Sequence, residues 1–166
     1  MKIGVLADTH NHRPNTLAAL EVFRAEGVEY LVHCGDVTGP DIVRLLAEWP
    51  VALVTGNVDR DWQALADAAR AIGVPPPRPQ VSLTLDGLAI AVVHGHLDEA
   101  LQDLIERQEY RYIFHGHTHL RRDVLIGRTR VINPGALGGT RREPRSVAVV
   151  DLAANEVRFV EIPEAQ

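Results

Sequence analysis

Cysteine and long apolar runs are both scarce in this sequence. The 166 residues include one cysteine, Cys34, so no disulfide can form within the chain, which is typical of a reducing compartment. No segment approaches the roughly 18 apolar residues that a membrane-spanning helix needs. The apolar run in the N-terminal MKIGVLADTH is too short for a signal peptide, and no small-residue cleavage site follows it. We therefore expect a cytoplasmic protein with no membrane partner.

A basic surface is also missing. The net charge is -5, the pI is about 5.9, and the sequence contains no long run of charge. This balance argues against binding of extended nucleic acid, which usually requires a basic face, but it leaves a nucleotide-sized substrate open. The length, together with 46% hydrophobic and 23% charged residues, predicts one globular domain over residues 1–166.

The first half alternates short apolar runs with helical patterns. Strands are predicted at KIGVLA (2–7), YLVHCGD (30–36) and PVALVTGN (50–57). Helices are predicted over 15–26, 40–49 and 61–73, the first with Asn15 or Thr16 as its N-cap and Gly27 as its stop. This β-α-β-α-β-α order predicts parallel strands joined by right-handed crossovers.

The second half begins with GVPPPRPQ (73–80), which holds four of the ten prolines and is interpreted as a stiff connector. A hairpin is predicted at Asp86-Gly87, then a helix over 97–109 and a strand at 110–114. Two further hairpins are expected to turn at 127–128 and 154–155. A parallel half therefore leads into a more antiparallel one, and the fold class is α/β with α+β character.

Polar residues follow five of the predicted strands. Ligands of α/β folds lie beyond the carboxyl ends of the strands, so these loops are expected to converge. All eight histidines lie in or beside them. The five loops are Asp8-Thr9-His10, His33-Cys34-Gly35-Asp36, Gly56-Asn57-Val58-Asp59, His94-Gly95-His96 and His115-Gly116-His117-Thr118-His119. Carboxylate, imidazole and amide together suit Mn, Fe, Ni, Co or Zn, and Asp36 is the expected bridge between two ions.

The ordered blocks DTH, GD, GN, HGH and GHTH resemble the calcineurin-like metallophosphoesterases. The MKIGVLADTH start, GNVD and INPGA look closest to the small bacterial and archaeal phosphodiesterases of the YfcE type. The resemblance implies a four-layer α/β/β/α sandwich of two mixed β-sheets flanked by helices. It also implies a homo-oligomer and a small phosphoester substrate, for which a nucleotide-like compound is one option.

Carried over block by block, the resemblance implies two divalent ions, with manganese favoured and Ni, Fe, Co or Zn as alternatives. A hydroxide bridging the ions would attack phosphorus in line. The first ion would be held by Asp8, His10, Asp36 and His119. The second would be held by Asp36, Asn57, His94 and His117.

One position departs from the larger members of this family. Many of them carry a histidine directly after the G-N asparagine, where it can protonate the leaving group, whereas Val58 stands here. His12 and His96 are the remaining candidates for that role. The departure predicts a preference for diesters with good leaving groups over alkyl monoesters. Asp59 is expected either to orient a ligand histidine or to cap the helix from Asp61.

Several alternatives stand beside the phosphodiesterase. They are a phosphomonoesterase, a nuclease, and a non-catalytic scaffold like the retromer subunit that shares this fold. All seven expected ligand positions are filled, which favours an enzyme. His33 and His115 are expected to serve packing or a backbone hydrogen bond, and Cys34 to be a buried thiol. The arginines of the GGTRREPR loop are interpreted as solvated, with contact to substrate phosphate as the alternative: Arg141, Arg142 and Arg145.

Overall fold

The computed structural model describes residues 1–164, so the last two residues of the predicted domain 1–166 lie outside the described residues. Most predicted elements form close to their expected positions. In chain order they are β1 (Lys2–Leu6), α1 (Arg13–Glu26), β2 (Tyr30–His33), α2 (Pro40–Leu45), β3 (Val51–Leu53), α3 (Trp62–Ala71), β4 (Gln80–Leu85), β5 (Leu88–Val93), α4 (Asp98–Glu106), β6 (Tyr112–Phe114), β7 (Arg122–Ile126), β8 (Thr129–Asn133), β9 (Ser146–Asp151) and β10 (Glu156–Glu161).

The strands form two mixed sheets of five strands each. The first has the order β10-β9-β1-β2-β3, and the second has the order β4-β5-β6-β8-β7. In the first sheet β1, β2 and β3 are parallel, with Leu6 opposite His33 and His33 opposite Leu53. In the second sheet β5, β6 and β8 are parallel. The carboxyl ends of these strands are therefore level within each sheet, and the loops that follow them lie side by side.

Three apolar cores separate four layers. One core packs α1, α2 and α3 against the outer face of the first sheet, for example Phe23 and Ile42 against Leu31. The second lies between the sheets, where Val5 and Val32 of the first sheet meet residues such as Phe114 of the second. The third packs α4 against the outer face of the second sheet. This confirms the predicted α/β/β/α sandwich.

The proline-rich segment 73–80 passes from the first sheet to the second. Its Arg78 forms an isolated parallel bridge with Val54, and the Arg78 carbonyl accepts a hydrogen bond from the Thr55 N–H at 2.9 Å. The connector thus pairs with the outer edge just beyond β3 before β4 begins. None of the helices in residues 1–164 is both long and apolar enough to cross a membrane.

The start of α1 differs from the prediction. Its N-cap is His12, whose Nδ1 accepts the Asn15 N–H at 3.2 Å, and not Asn15 or Thr16. Both predicted caps are buried inside the first turn. The side chain of Asn15 instead donates to the Leu137 carbonyl at 2.7 Å, across 122 residues of sequence. A long-range contact therefore displaces the local capping preference that the sequence suggested.

Candidate metal centre

The candidate metal centre lies where the loops after β1, β2 and β3 run alongside one another. The Asp8 N–H donates to the Gly35 carbonyl and the His10 N–H donates to the Asp36 carbonyl, both at 3.0 Å. Asp8, His10 and Asp36 all have left-handed backbone conformations, with φ of 52°, 43° and 56°. Such conformations are uncommon outside glycine and cluster at functional sites, where surrounding contacts hold them.

One half of the site is formed by Asp8, His10 and His119. The Asp8 Oδ1 lies 3.4 Å from the His119 Nε2 and 3.9 Å from the His10 Nε2. Both Asp8 Oδ1 and His10 Nε2 are buried and have no hydrogen-bond partner among residues 1–164. A buried polar atom left unpaired costs about 1–3 kcal/mol, and a cation between these lone pairs would remove that cost. The donors therefore fit a divalent ion.

The other half is formed around Asp36 and His94. The Asp36 Oδ2 lies 3.2 Å from the His94 Nε2 and 3.5 Å from the His10 Nε2, so this carboxylate stands between the two halves. The Asn57 Oδ1 is 3.0 Å from the His94 Nε2, and the His117 ring lies 5.1 Å from the His94 ring. The Asp36 carboxylate therefore faces imidazoles of both halves.

Asp8 also reaches both halves, which the sequence did not indicate. Two sets of ligand atoms lie within 4.8 Å of one another, one from Asp8, His10 and His119 and one from Asp8, Asp36 and His94. The Asp8 Oδ1 is 3.9 Å from the His94 Nε2, while its Oδ2 accepts the His117 N–H at 3.1 Å. Asp8 is fully buried, so its carboxyl group is held in place at the centre of the cluster.

Two imidazoles are oriented by backbone carbonyls. The His94 Nδ1–H donates to the Cys34 carbonyl at 2.8 Å, and the His119 Nδ1–H donates to the Thr140 carbonyl at 2.6 Å. Each bond assigns the proton to Nδ1 and leaves the Nε2 lone pair facing the carboxylates. This arrangement is the usual one for a histidine that binds a metal.

The charges in the cluster support one another. Burial alone would lower the pKa of His94, but the Asp36 and Asp8 carboxylates outweigh it and raise that pKa. The neighbouring Asp8 carboxyl group raises the pKa of His119. Burial would raise the pKa of Asp36, but His94 and the Val58 N–H outweigh it and lower that pKa. The pocket therefore holds negative charge that favours a cation at its centre.

Among the three predicted catalytic residues, His96 lies beside the cluster. Its exposed ring is 5.5 Å from the His94 ring and 6.1 Å from the His117 ring. Partial desolvation and these two neighbouring imidazoles lower the pKa of His96 from its ordinary value, which favours the neutral ring near pH 7. His12 caps α1 through its Nδ1, so this nitrogen serves the structure of the helix.

Asp59 takes neither of the two predicted roles in its hydrogen bonds. Its Oδ1 accepts the Thr38 N–H at 2.7 Å and its Oδ2 accepts the Gly56 N–H at 2.8 Å. The cap of α3 is Asp61, which accepts the Ala64 N–H at 3.1 Å. The expectation that Asp59 caps this helix is therefore wrong. Instead, the carboxylate ties together the loops that carry Asp36 and Asn57.

His33 and His115 serve the structural roles expected of them. His33 accepts the Gly35 N–H at its Nδ1 and contacts the Thr9 Oγ1 through its Nε2 at 3.1 Å. Burial lowers the pKa of each histidine to about 4, so both are neutral. Cys34 is buried, and burial raises the pKa of its thiol. The contact that Cys34 makes with the metal centre comes from its backbone carbonyl, which accepts the hydrogen bond from His94.

The GGTRREPR loop is only partly the solvated segment that the sequence predicted. Arg141 and Arg142 are exposed, whereas Arg145 is 8% exposed and donates to carbonyls of the same loop. The interpretation of Arg145 as solvated is therefore wrong. The loop lies against the metal centre, because the Thr140 carbonyl orients His119. In the sequence, only the two successive glycines of this loop indicated that its backbone could lie so close to the metal centre.

Comparison with known proteins decides the family. The sequence model of the calcineurin-like phosphoesterase superfamily domain matches residues 1–155. The chain belongs to the calcineurin-like phosphoesterase superfamily. A phosphodiesterase of Methanocaldococcus jannaschii is 30% identical to it over 163 residues, which cover 96% of this chain and 98% of that protein. The predicted enzyme class, a hydrolase of phosphoester bonds, is confirmed at the level of the family.

Solved structures agree with this calcineurin-like assignment. A structure described as a novel archaeal phosphodiesterase has a TM-score of 0.91 and 29% identity, covering 98% of this chain and 100% of that one. YfcE, a phosphoesterase from E. coli, has a TM-score of 0.72 and 24% identity, covering 98% and 100%. The second identity is low enough that it supports the fold alone. The predicted resemblance to this family and its YfcE-type members is confirmed.

Proposed function

We propose that this chain, acting as one domain, is a phosphodiesterase that hydrolyses small phosphoesters with two divalent ions. The observation that carries the proposal is the pair of orphaned buried atoms, Asp8 Oδ1 and His10 Nε2, at the centre of the converging ligands. The first ion would be held by Asp8, His10, Asp36 and His119, and the second by Asp36, Asn57, His94 and His117. We propose manganese as the working ion; carboxylate, imidazole and amide donors together suit it, as they also suit Ni, Fe, Co and Zn.

Two divalent ions, when bound, supply an activated water and stabilise charge on the phosphoryl oxygens. The chain's own residues hold this arrangement in place. The bonds from His94 to the Cys34 carbonyl and from His119 to the Thr140 carbonyl fix both imidazoles before substrate arrives. Because the positions are set in advance, little reorganisation is needed during the reaction.

The surroundings of the site favour diesters with good leaving groups. Val58 provides no proton donor after Asn57, and the neutral ring of His96 is favoured because its pKa is lowered by partial desolvation and by its histidine neighbours. An aryl leaving group needs no proton from the protein, whereas an alkoxide does. A shallow apolar groove lined by Pro79, His96 and Leu97 also adjoins His94 and suits an apolar ester group. A nucleotide-like substrate and a homo-oligomeric state stay predictions.

The test compares bis-p-nitrophenyl phosphate with p-nitrophenyl phosphate. The protein is stripped of metal and then titrated with Mn²⁺, Ni²⁺, Co²⁺ or Zn²⁺, with Asp36→Asn as the control. We expect metal-restored turnover that prefers the diester and disappears in the variant. A folded protein that binds metal but hydrolyses neither compound would instead support the scaffold role, and a preference for the monoester would support a phosphomonoesterase.

A further inference from the structure

The loop between β8 and β9 touches the metal centre through its backbone. We call residues 137–140 the glycine loop. A Cβ atom on Gly139 would lie 2.7 Å from the His10 Cδ2 and 2.9 Å from the His119 Cε1, and Gly139 has a φ of +66°. Glycine is therefore needed at this position, since any side chain would collide with two predicted ligands.

Glycine leaves a loop conformationally free, so something else must hold it in place. The Gly138 N–H donates to the Asp8 carbonyl at 2.7 Å. The Arg145 Nη1 donates to the Gly138 carbonyl at 2.7 Å, and its Nη2 donates to the Gly139 carbonyl at 2.8 Å. One guanidinium thus fixes two successive peptide groups directly behind the imidazoles.

Arg145 is itself held and paired. Its side chain is 9% exposed, and its Nε donates to the Glu164 Oε1 at 3.0 Å, so three of its donors have partners. A planar guanidinium places donors at fixed angles, which a lysine ammonium cannot do. Removing it would leave two loop carbonyls without their donor. The hydrogen bonds from Arg145 therefore hold the backbone of the glycine loop in one conformation.

The hydrogen bonds from Arg145 bear most directly on the half of the metal centre that contains His119. The carbonyl next in the loop, that of Thr140, accepts the His119 Nδ1–H at 2.6 Å. His94 is oriented instead by the Cys34 carbonyl, which directly follows β2. We propose that Arg145 is a positioning residue that, through the glycine loop, sets His119 and His10 for the ion bound with Asp8. The proposal rests on the two-metal function above.

The first test measures Mn²⁺ binding to metal-stripped protein by titration calorimetry. Replacing a direct hydrogen-bond partner of a metal ligand typically weakens metal binding by about 10–100-fold; since Arg145 acts through the backbone of the glycine loop, Arg145→Met should weaken one of the two sites by about 10-fold, the lower end of that range. His119→Ala should weaken the same site and His94→Ala the other. Arg141→Met is the matched control, because Arg141 pairs with the same Glu164 at 3.5 Å but is exposed and makes no bond to the loop carbonyls. Equal weakening of both sites, or of neither, would overturn the proposal.

The second test needs no metal. In metal-free wild type at pH 8.5, ¹⁵N spectra of the imidazoles should show the Nδ1-protonated tautomer for both His94 and His119. Arg145→Met should shift His119 toward a mixture of tautomers and leave the tautomer of His94 unchanged. Arg145→Lys should keep the Nδ1-protonated tautomer of His119 only in part. An unchanged His119 signal in a folded variant would refute the positioning role. This outcome is distinct from failure of the proposed function, in which wild type shows the expected tautomers but no turnover.

Discussion

The carboxylate of Asp59 offers a sharp test of how the loops are held. It accepts two backbone N–H groups, from Thr38 and Gly56, at 2.7 and 2.8 Å, and the residue is 9% exposed. A hydrogen bond to a charged group contributes about 1.5–3 kcal/mol, so two bonds set an upper limit of about 3–6 kcal/mol. Since water can reach the vacated position, we expect Asp59→Ala to lower the free energy of unfolding by about 3 kcal/mol.

The assay is urea denaturation of the metal-free protein, followed by circular dichroism. Asp59→Asn should lose about half as much as Asp59→Ala, because its amide keeps one acceptor but turns a donor toward the second N–H. Asp61→Ala is the control; it removes an exposed cap of α3 and should cost about 1 kcal/mol. A loss below about 0.5 kcal/mol for Asp59→Ala would refute the idea that this carboxylate ties the two loops together.

Three further predictions concern the metal centre and its support. Gly56→Ala should abolish metal-dependent turnover, because its Cβ would overlap the Asp36 carboxylate. Gly73→Ala has nothing within 4 Å of its Cβ, so it should leave turnover unchanged, although the φ of +77° at this position will cost some stability. The stability of the metal-free protein should fall as the pH drops from about 6.5 to about 4, since burial lowers the folded pKa of His33 to about 4 and the unfolded chain then binds more protons. The share of that loss due to His33 amounts to about 3 kcal/mol, and the equally lowered pKa of His115 adds to it, so urea titrations at pH 7 and pH 4.5 should show a weaker dependence in His33→Gln. His96→Ala should change diester hydrolysis by less than about 10-fold in steady-state assays, because the neutral ring provides no essential proton; a loss of 1,000-fold or more would make His96 the general acid.

The sequence was most informative where local pattern and topology agree. Short apolar runs followed by Asp8, Asp36 and Asn57 predicted strands with polar carboxyl ends, and parallel pairing then brings those ends to one edge. The hairpin turns at Asp86-Gly87 and 127–128 also follow from local residue preference.

Long-range contacts account for what the sequence could not provide. His12 caps α1 because Asn15 is engaged with Leu137, and no local signal reveals a partner so distant along the chain. Arg145 looked like one more arginine of a polar loop, yet its burial depends on carbonyls and on Glu164, which meet it only in the folded protein. Asp59 stood two residues before a helix and suggested a cap, whereas its partners belong to two different loops.

Neither sheet alone would hold a complete set of the proposed ligands. Asp8, Asp36 and Asn57 follow strands of the first sheet, while His94 and His119 follow strands of the second, so each ion would be gripped from both sides of the central core. Bound metal would then act as a non-covalent cross-link between the two sheets, and its binding energy would add to the resistance of the sandwich to separation. We therefore expect that removing the metal with a chelator speeds up hydrogen exchange of backbone amides well away from the metal centre. The affected amides should be those of the strands that face each other across the central core.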